Sequence, residues 1–364
     1  MTGKTRIGNE EKPMKLVFVY YAYENQGSSL DLQGYARAAK AMGHEAIVYG
    51  VPSPKIPLNY SIDLAGADAV IFVFEWTTDL LYGDRLDWLR LVSSVPRHRR
   101  VVIDCDGRYN APINVHGDFN HRTDAESKAY MDFCDAVADK IYQPSPRPKR
   151  SNVGTFLFHI YDPTWERPLD FSAKDFSIAY VGHSKFRWHG MSQVLKAVAP
   201  VRDRVGRIAL FGYGWDKQPD WAETLKMEDV YQVDYAMMRE LNVEAMPPIP
   251  TSQVIATMSR GAINPVVYRP LFEHLEFVTC RTFENIAAGT VPLFLLNTQY
   301  VRSVFGDEAA DNLVLAGERP QDKIADVLGR PNHYARIAEG IRREFRLRHT
   351  PEARLKQLIE IVEA

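Results

Sequence analysis

Arg281 and Glu284 lie three residues apart in C-R-T-F-E-N-I-A-A-G-T-V-P-L (280–293). The pattern predicts a helix over 282–288, with Thr282 as its cap and Arg281 just before it. A helix start presents free N–H groups and a partial positive charge, so with an arginine beside it this is a good diphosphate site. Glu284, in the first turn, has two chemical readings: it accepts both hydroxyls of a ribose, or it complements the helix dipole. Glu276 precedes it with seven residues between them. A second cluster is Y-V-G-H-S-K-F-R (180–187). Gly182 lets backbone approach a phosphate closely. Lys185 and Arg187 either neutralise a leaving diphosphate, where developing charge makes them most effective, or form a solvated basic loop.

The N-terminal half offers more scattered chemistry. N-Q-G-S-S (25–29) follows a strand and opens a helix. Gly27 and Ser28 there either admit a ligand into a cleft loop or make an ordinary helix start. In D-C-D-G-R-Y-N (104–110), Asp104 and Asp106 are spaced like a metal-binding pair. They are read here without a metal: Asp106 contacts an acceptor or acts as a base, or the pair builds a turn. N-V-H-G-D-F-N-H (114–121) holds His116, Asp118 and His121, but lacks helical metal-ligand spacing. By its residues alone His116 is a surface histidine. Arg269, Asn264 and His274 flank the approach to Glu276. Trp76 and Trp215 are the aromatics best placed by sequence for stacking.

Positioning these groups requires alternating strands and helices. KLVFVYY (15–21), EAIVYG (45–50), ADAVIFVFEW (67–76), RVVIDCD (100–106) and DKIYQ (139–143) read as strands, with helices over 30–42, 83–93 and 122–137. After the two-proline segment 161–170 the alternation restarts. Strands are read at 175–182, 207–212, 262–265 and 291–296, helices at 189–200, 251–259 and 282–288, and irregular chain over 213–250. Two helices, about 333–346 and 351–363, finish the chain. The fold class is therefore α/β: two doubly wound Rossmann-like domains with an interdomain cleft. The expected division is a leader (1–13), a first Rossmann-like domain (14–160), a linker (161–170), a second Rossmann-like domain (171–335) and C-terminal helices (336–364).

The 364 residues suffice for two cores, and 44 Lys plus Arg against 46 Asp plus Glu leave a formal charge of -2. That balance offers no basic field for nucleic acid or an anionic membrane. Cys105, Cys134 and Cys280 are too few and too scattered for a disulfide scaffold. The polar N-terminus and the lack of a long apolar run point to a cytoplasmic protein without a membrane span.

On these residues the chain resembles the retaining glycosyltransferases of the GT-B architecture. That family carries two glutamates at the Glu276–Glu284 spacing, the second in a helix followed by A-x-G-x-P, as in A-A-G-T-V-P (287–292). The intervening F-V-T-C-R-T-F lacks the family's usual Gly after Phe. A-A-K-A-M-G-H-E-A-I-V-Y (38–49), F-H-I-Y-D-P-T-W-E-R-P (158–168) and F-G-Y-G-W (211–215) resemble further family phrases. R-T-F-E and R-H-T-P-E-A-R-L (348–355) are similar to the CgeB-like, spore-maturation-protein group. The resemblance spans about 14–364 and is strongest over 176–355. It implies transfer of a sugar from a UDP- or GDP-linked donor to a hydroxyl acceptor, with retention and without a metal or other cofactor. It implies that Gly182, Lys185, Arg187, Arg281 and Thr282 bind the diphosphate, that Glu284 holds the ribose and that Glu276 touches the sugar. It implies that the first domain is the acceptor side, that the second binds the nucleotide-sugar, and that the last helices pack back on the first domain. His116 and Asp106 are then the candidate catalytic groups of the first domain, with His116 near the donor sugar. The rival readings are a sugar-nucleotide epimerase and a non-catalytic nucleotide-sugar-binding protein. Nucleic acid is disfavoured as a partner by charge, with modified DNA left open as an acceptor.

Overall fold

The computed structural model describes residues 12–20, 28–52, 57–75, 87–224 and 230–364. Its first sheet is parallel throughout, in the order β3-β2-β1-β4-β5-β8-β9. The strands are β1 (Lys15–Tyr20), β2 (Glu45–Tyr49), β3 (Tyr60–Ser61), β4 (Ala69–Phe74), β5 (Arg100–Asp104), β8 (Lys140–Gln143) and β9 (Gly154–Thr155). Every residue of β4, AVIFVF, is buried, as expected for a central parallel strand covered on both faces. The helix Asp124–Val137 starts with a reciprocal capping box. Thr123 Oγ1 accepts from Glu126 N at 3.1 Å, and Glu126 Oε2 accepts from Thr123 N at 2.9 Å.

The second sheet is also parallel, in the order β12-β11-β10-β13-β14. It comprises β10 (Phe176–Val181), β11 (Ile208–Phe211), β12 (Val243–Met246), β13 (Gly261–Val266) and β14 (Val291–Phe294). Both sheets reverse strand order beside their first strand, and the crevice outside the carboxyl ends at that point is where such sheets bind ligands. The architecture is thus the two-domain Rossmann-like one expected.

Some elements depart from the sequence reading. The stretch read as irregular, 213–250, contains the helix Tyr235–Glu240 and the edge strand β12. Its VEAM sequence has no apolar run, so periodicity gave no signal. The helices Thr298–Phe305, Asp307–Asn312 and Pro320–Gly329 precede the two expected at the end. All three are short, and their apolar faces only make sense once the core they cover exists.

The last helix, Pro351–Glu363, returns to the first domain. Its Leu355, Leu358, Ile359 and Val362 join Leu16, Phe18, Tyr35 and Ala38 in one buried cluster. The domains also meet along a second seam. Val278 N donates to Pro144 O at 2.7 Å, and Ser145 Oγ to Leu275 O at 2.8 Å. The small antiparallel hairpin of β6 (Asn114–Val115) and β7 (Asp118–Phe119) reaches across to the short helix Pro270–His274. There Ile113 and Val115 pack on Leu271, Leu275 and Phe277.

Candidate functional site

The helix expected over 282–288 runs from Cys280 to Ala287. Its cap is Thr279, which corrects the assignment to Thr282. Thr282 is fully buried in the first turn, where its Oγ1 accepts from Thr279 N at 3.2 Å and bonds the Tyr268 hydroxyl. It holds the helix start in shape, with its hydroxyl already committed. Arg281 lies inside the first turn and Glu284 in the second. At the far end, the buried Arg342 donates to Ile286 O at 2.9 Å and Ala287 O at 3.0 Å, a cation on the negative end of the dipole. Gly289 follows at φ +70°, and a Cβ there would lie 2.4 Å from Pro168 O. The glycine of A-A-G therefore ends the helix and lets the interdomain segment press on it.

Arg281 Nη1 approaches Glu284 Oε2 at 2.9 Å, with the glutamate side chain 3% exposed. The contact lacks hydrogen-bond alignment, so both atoms are buried with bonding capacity unused. Burial pushes the Glu284 carboxyl up, against the pull of Arg281. Both atoms suit an incoming polar ligand.

Facing this helix, the β10 and β11 ends come together. A Cβ on Gly212, which sits at φ +147°, would lie 2.4 Å from Gly182 O. The loop after Gly182 then supplies the cations. His183, Lys185 and Arg187 are each pushed towards the neutral form, first by burial and then by neighbouring positive charge. Those neighbours include Arg281 for His183 and Arg187, and Arg269 for Lys185 and Arg187. Mutually repelling, partly desolvated basic groups at the carboxyl ends of strands are an arrangement suited to an anion. Asp118 is the carboxylate that offsets Lys185 and Arg187. It is itself clamped across the domains by Arg269, at 2.8 Å from Nε, and by Leu271 N at 2.9 Å.

Trp215 is buried, with Nε1 donating to Gly182 O at 2.8 Å, so it braces the turn at Gly182 instead of offering a stacking face. Tyr213, 56% exposed and stacked on His183 at 5.0 Å, is the open ring at this sheet edge. Glu276 stands at φ +55°, and its carboxylate is held by Arg147 Nε and Nη2, both at 2.7 Å. The group expected at the donor sugar thus pairs across the domain seam. His116 is exposed at the hairpin turn, within electrostatic reach of His189. Ser28 is buried at the start of its helix with its hydroxyl facing Tyr20 and Glu75, while Gly27 and Trp76 lie outside the described residues.

The carboxyl ends of the first sheet hold a cluster that sequence reasoning missed. Tyr20 Oη donates to Glu75 Oε2 at 3.0 Å. His159 Nδ1 bonds Asp31 Oδ2 at 2.7 Å, and Asp31 Oδ1 accepts from Ile160 N at 3.1 Å. Burial raises the Glu75 carboxyl, with His159 opposing and the Asp106 charge adding to it. Asp106 is half-buried beside this group. Asp104 is fully buried and accepts from Tyr109 N and Gln143 Nε2, both at 2.8 Å, so it builds the turn; burial lifts its carboxyl to about 6. Among the described residues, no three His, Cys, Asp or Glu side chains gather as metal ligands. A carboxylate directly after an all-apolar strand, as in F-V-F-E, was the signal for Glu75. The Asp31–His159 pair spans 128 residues and had none.

Burial by itself would push His159 down, but the Asp31 carboxylate, its hydrogen bond, Glu75 and Glu284 together raise it. The imidazolium therefore stabilises the fold fully below the ordinary histidine pKa of about 6.5, and this contribution is lost as pH rises through the higher folded value. Urea unfolding of wild type and His159→Gln across a pH series should show the gap between them widest in acid and closing above neutrality. A gap independent of pH would mean that His159 acts by packing alone.

Residues 192–360 match the family model described as glycosyl transferase-like. No curated sequence is significantly similar. Among solved structures, an alpha-glucosyltransferase in complex with UDP and a 13-mer DNA containing an HMU base has a TM-score of 0.61 at 13% identity, covering 96% of this chain and 99% of that one. T4 phage BGT in complex with UDP and Mn2+ has a TM-score of 0.54 at 12% identity, covering 96% and 100%. A glycosyltransferase from Rickettsia africae ESF-5 has a TM-score of 0.57 at 9% identity, covering 97% and 98%. At these identities the structures establish a shared GT-B fold. The family match, over 192–360, makes the C-terminal part of the chain glycosyl transferase-like. No helix among the described residues is long and apolar enough to cross a membrane.

Proposed function

We propose that the enzyme transfers a sugar from a uridine diphosphate donor to a hydroxyl-bearing acceptor. One observation carries this: the unused bonding atoms of Arg281 and Glu284 lie on one helix start, and Arg281 is within electrostatic reach of His183 and Arg187 in the loop after Gly182. The cations and the helix N-terminus take the diphosphate, and Glu284 takes the ribose hydroxyls. Glu75, assisted by Asp106, accepts the proton of the acceptor hydroxyl. Glu276 and His116 bound the sugar from the seam side, with Arg147 as the resting partner of Glu276. The positive groups neutralise the leaving diphosphate, so in this reading turnover persists in EDTA. R-T-F-E and R-H-T-P-E-A-R-L support placement in the CgeB-like group, and the two-glutamate spacing supports retention, for which the hydroxyl attacks the anomeric carbon from the face that the diphosphate leaves as Glu75 takes its proton.

Arg281→Ala should weaken UDP binding by about 1.5–3 kcal/mol, the worth of a hydrogen bond to a charged group, and leave uridine binding unchanged. Calorimetric titration of both ligands checks this, and equal losses would make Arg281 structural. Incubation with UDP-sugars and an acceptor panel separates the rivals. A new glycoside supports transfer, an altered donor sugar means epimerisation, and tight UDP binding without turnover means a binding protein. The panel includes DNA with hydroxymethylated bases, because three of the similar structures are described with DNA or as DNA-modifying.

A further inference from the structure

The segment R-H-T-P-E-A-R-L takes no part in the donor or acceptor arrangements. Arg354 and His349 instead line a separate interdomain cavity of about 560 Å³. Thr155 and Leu157 of the first domain form one wall, and Ser303, Arg348 and Lys356 contribute to the others. Its volume is in the usual range for a small-molecule site. The Phe283 ring, 5.2 Å from that of His349, belongs to the helix that carries Arg281 and Glu284, so this helix stands between the two sites.

Arg354 is 5% exposed. Its Nη1 donates to Gln357 Oε1 at 2.6 Å and its Nη2 to His349 Nδ1, while Nε has no partner. Both acceptors are neutral, since burial and the charges of Arg354 and Arg348 push His349 down to about 3. Burial presses Arg354 itself down to about 10, opposed by the Tyr35 phenol. Among the described residues no carboxylate pairs with it. Of the other charged groups on the lining, Arg348 pairs with Glu344 at 3.1 Å, Lys356 forms no ion pair among the described residues, and Glu360 is the one acid. A buried guanidinium without a counter-ion is costly, and an anion would relieve it.

We propose that this cavity is a second anion site, which seats the phosphoryl group of a small ligand against Arg354, with Lys356 and Arg348 at its rim. It is independent of the diphosphate site. The test is calorimetric titration of inorganic phosphate into the full chain saturated with UDP, repeated in the Arg281→Ala background without UDP. Saturable binding is expected in both. Arg354→Gln should weaken it at least about tenfold, and the surface variant Lys356→Ala should weaken it by several-fold. If Arg354→Gln fails to fold, Lys356→Ala decides. A glucose 1-phosphate affinity above that of phosphate assigns the cavity to a phosphorylated small molecule, and equal affinities assign it to free phosphate. Loss of phosphate binding on adding UDP, no saturable binding, or binding unchanged in the foldable variants would overturn the proposal.

Discussion

Replacing Glu75 by Gln should lower kcat by about 10²–10⁴, the contribution of a positioned proton acceptor, with little change in UDP affinity. The side chain keeps its size and still accepts from Tyr20 Oη, but it loses the charge that takes the proton. The wild-type pH profile carries the same signature. Burial raises the Glu75 carboxyl more than His159 lowers it, and the Asp106 charge adds to the rise. A base must be ionised, so wild-type activity should fall as pH drops through a value above the ordinary range of a free carboxylate, and Glu75→Gln should lack this limb. Steady-state rates against pH, with UDP titrations on both proteins, make the check. An unchanged kcat would pass the role to Asp106, and a loss confined to UDP affinity would place Glu75 on the donor side.

The largest effect on stability is expected at Asp118. Its side chain is 1% exposed, and it accepts from Arg269 and from Leu271 N at once. Asp118→Ala strands a mostly buried guanidinium and a backbone N–H, a loss of about 3–5 kcal/mol for breaking a buried pair by removing one partner. Glu276→Gln serves as the comparison. Its partner Arg147 is 49% exposed, so this pair is worth about 1 kcal/mol or less. Denaturant midpoints of the two variants should differ accordingly, and equal midpoints would mean that the hairpin contact carries no special weight. Asp118 also offsets the positive field on Lys185 and Arg187. UDP affinity in the folded Asp118→Ala protein should therefore be retained or increased.

The sequence was most informative where one segment makes one element. The apolar runs 15–20, 69–74 and 100–104 forecast the first sheet, and 176–181, 208–211 and 291–294 the second, because parallel strands buried on two faces cannot hide their composition. Arg281 and Glu284 were legible for the same reason: a single helix start positions both. The acid–base cluster was not, because Asp31, Glu75 and His159 come from a helix, a strand end and the interdomain segment, and only the tertiary fold brings them together. Thr282 misled for a local reason. Threonine fits the cap and the third helical position of a capping box alike, and Thr279 three residues earlier took the cap. Glu276 pairs with Arg147, which lies 129 residues away and left no trace in the spacing.

The chain passes between the two domains once near residue 161 and again near residue 349, and Tyr161 N bonds His349 O at 2.7 Å. Two crossings fastened side by side act as adjacent pins of one hinge. They resist sliding and leave rotation about a single axis as the compliant motion. Such a swing must part 269–278 from 113–147, where Asp118, Arg147 and Glu276 sit, before it disturbs the pins. The seam therefore acts as a clasp against that rotation, and its ion pairs are the contacts the rotation would have to break.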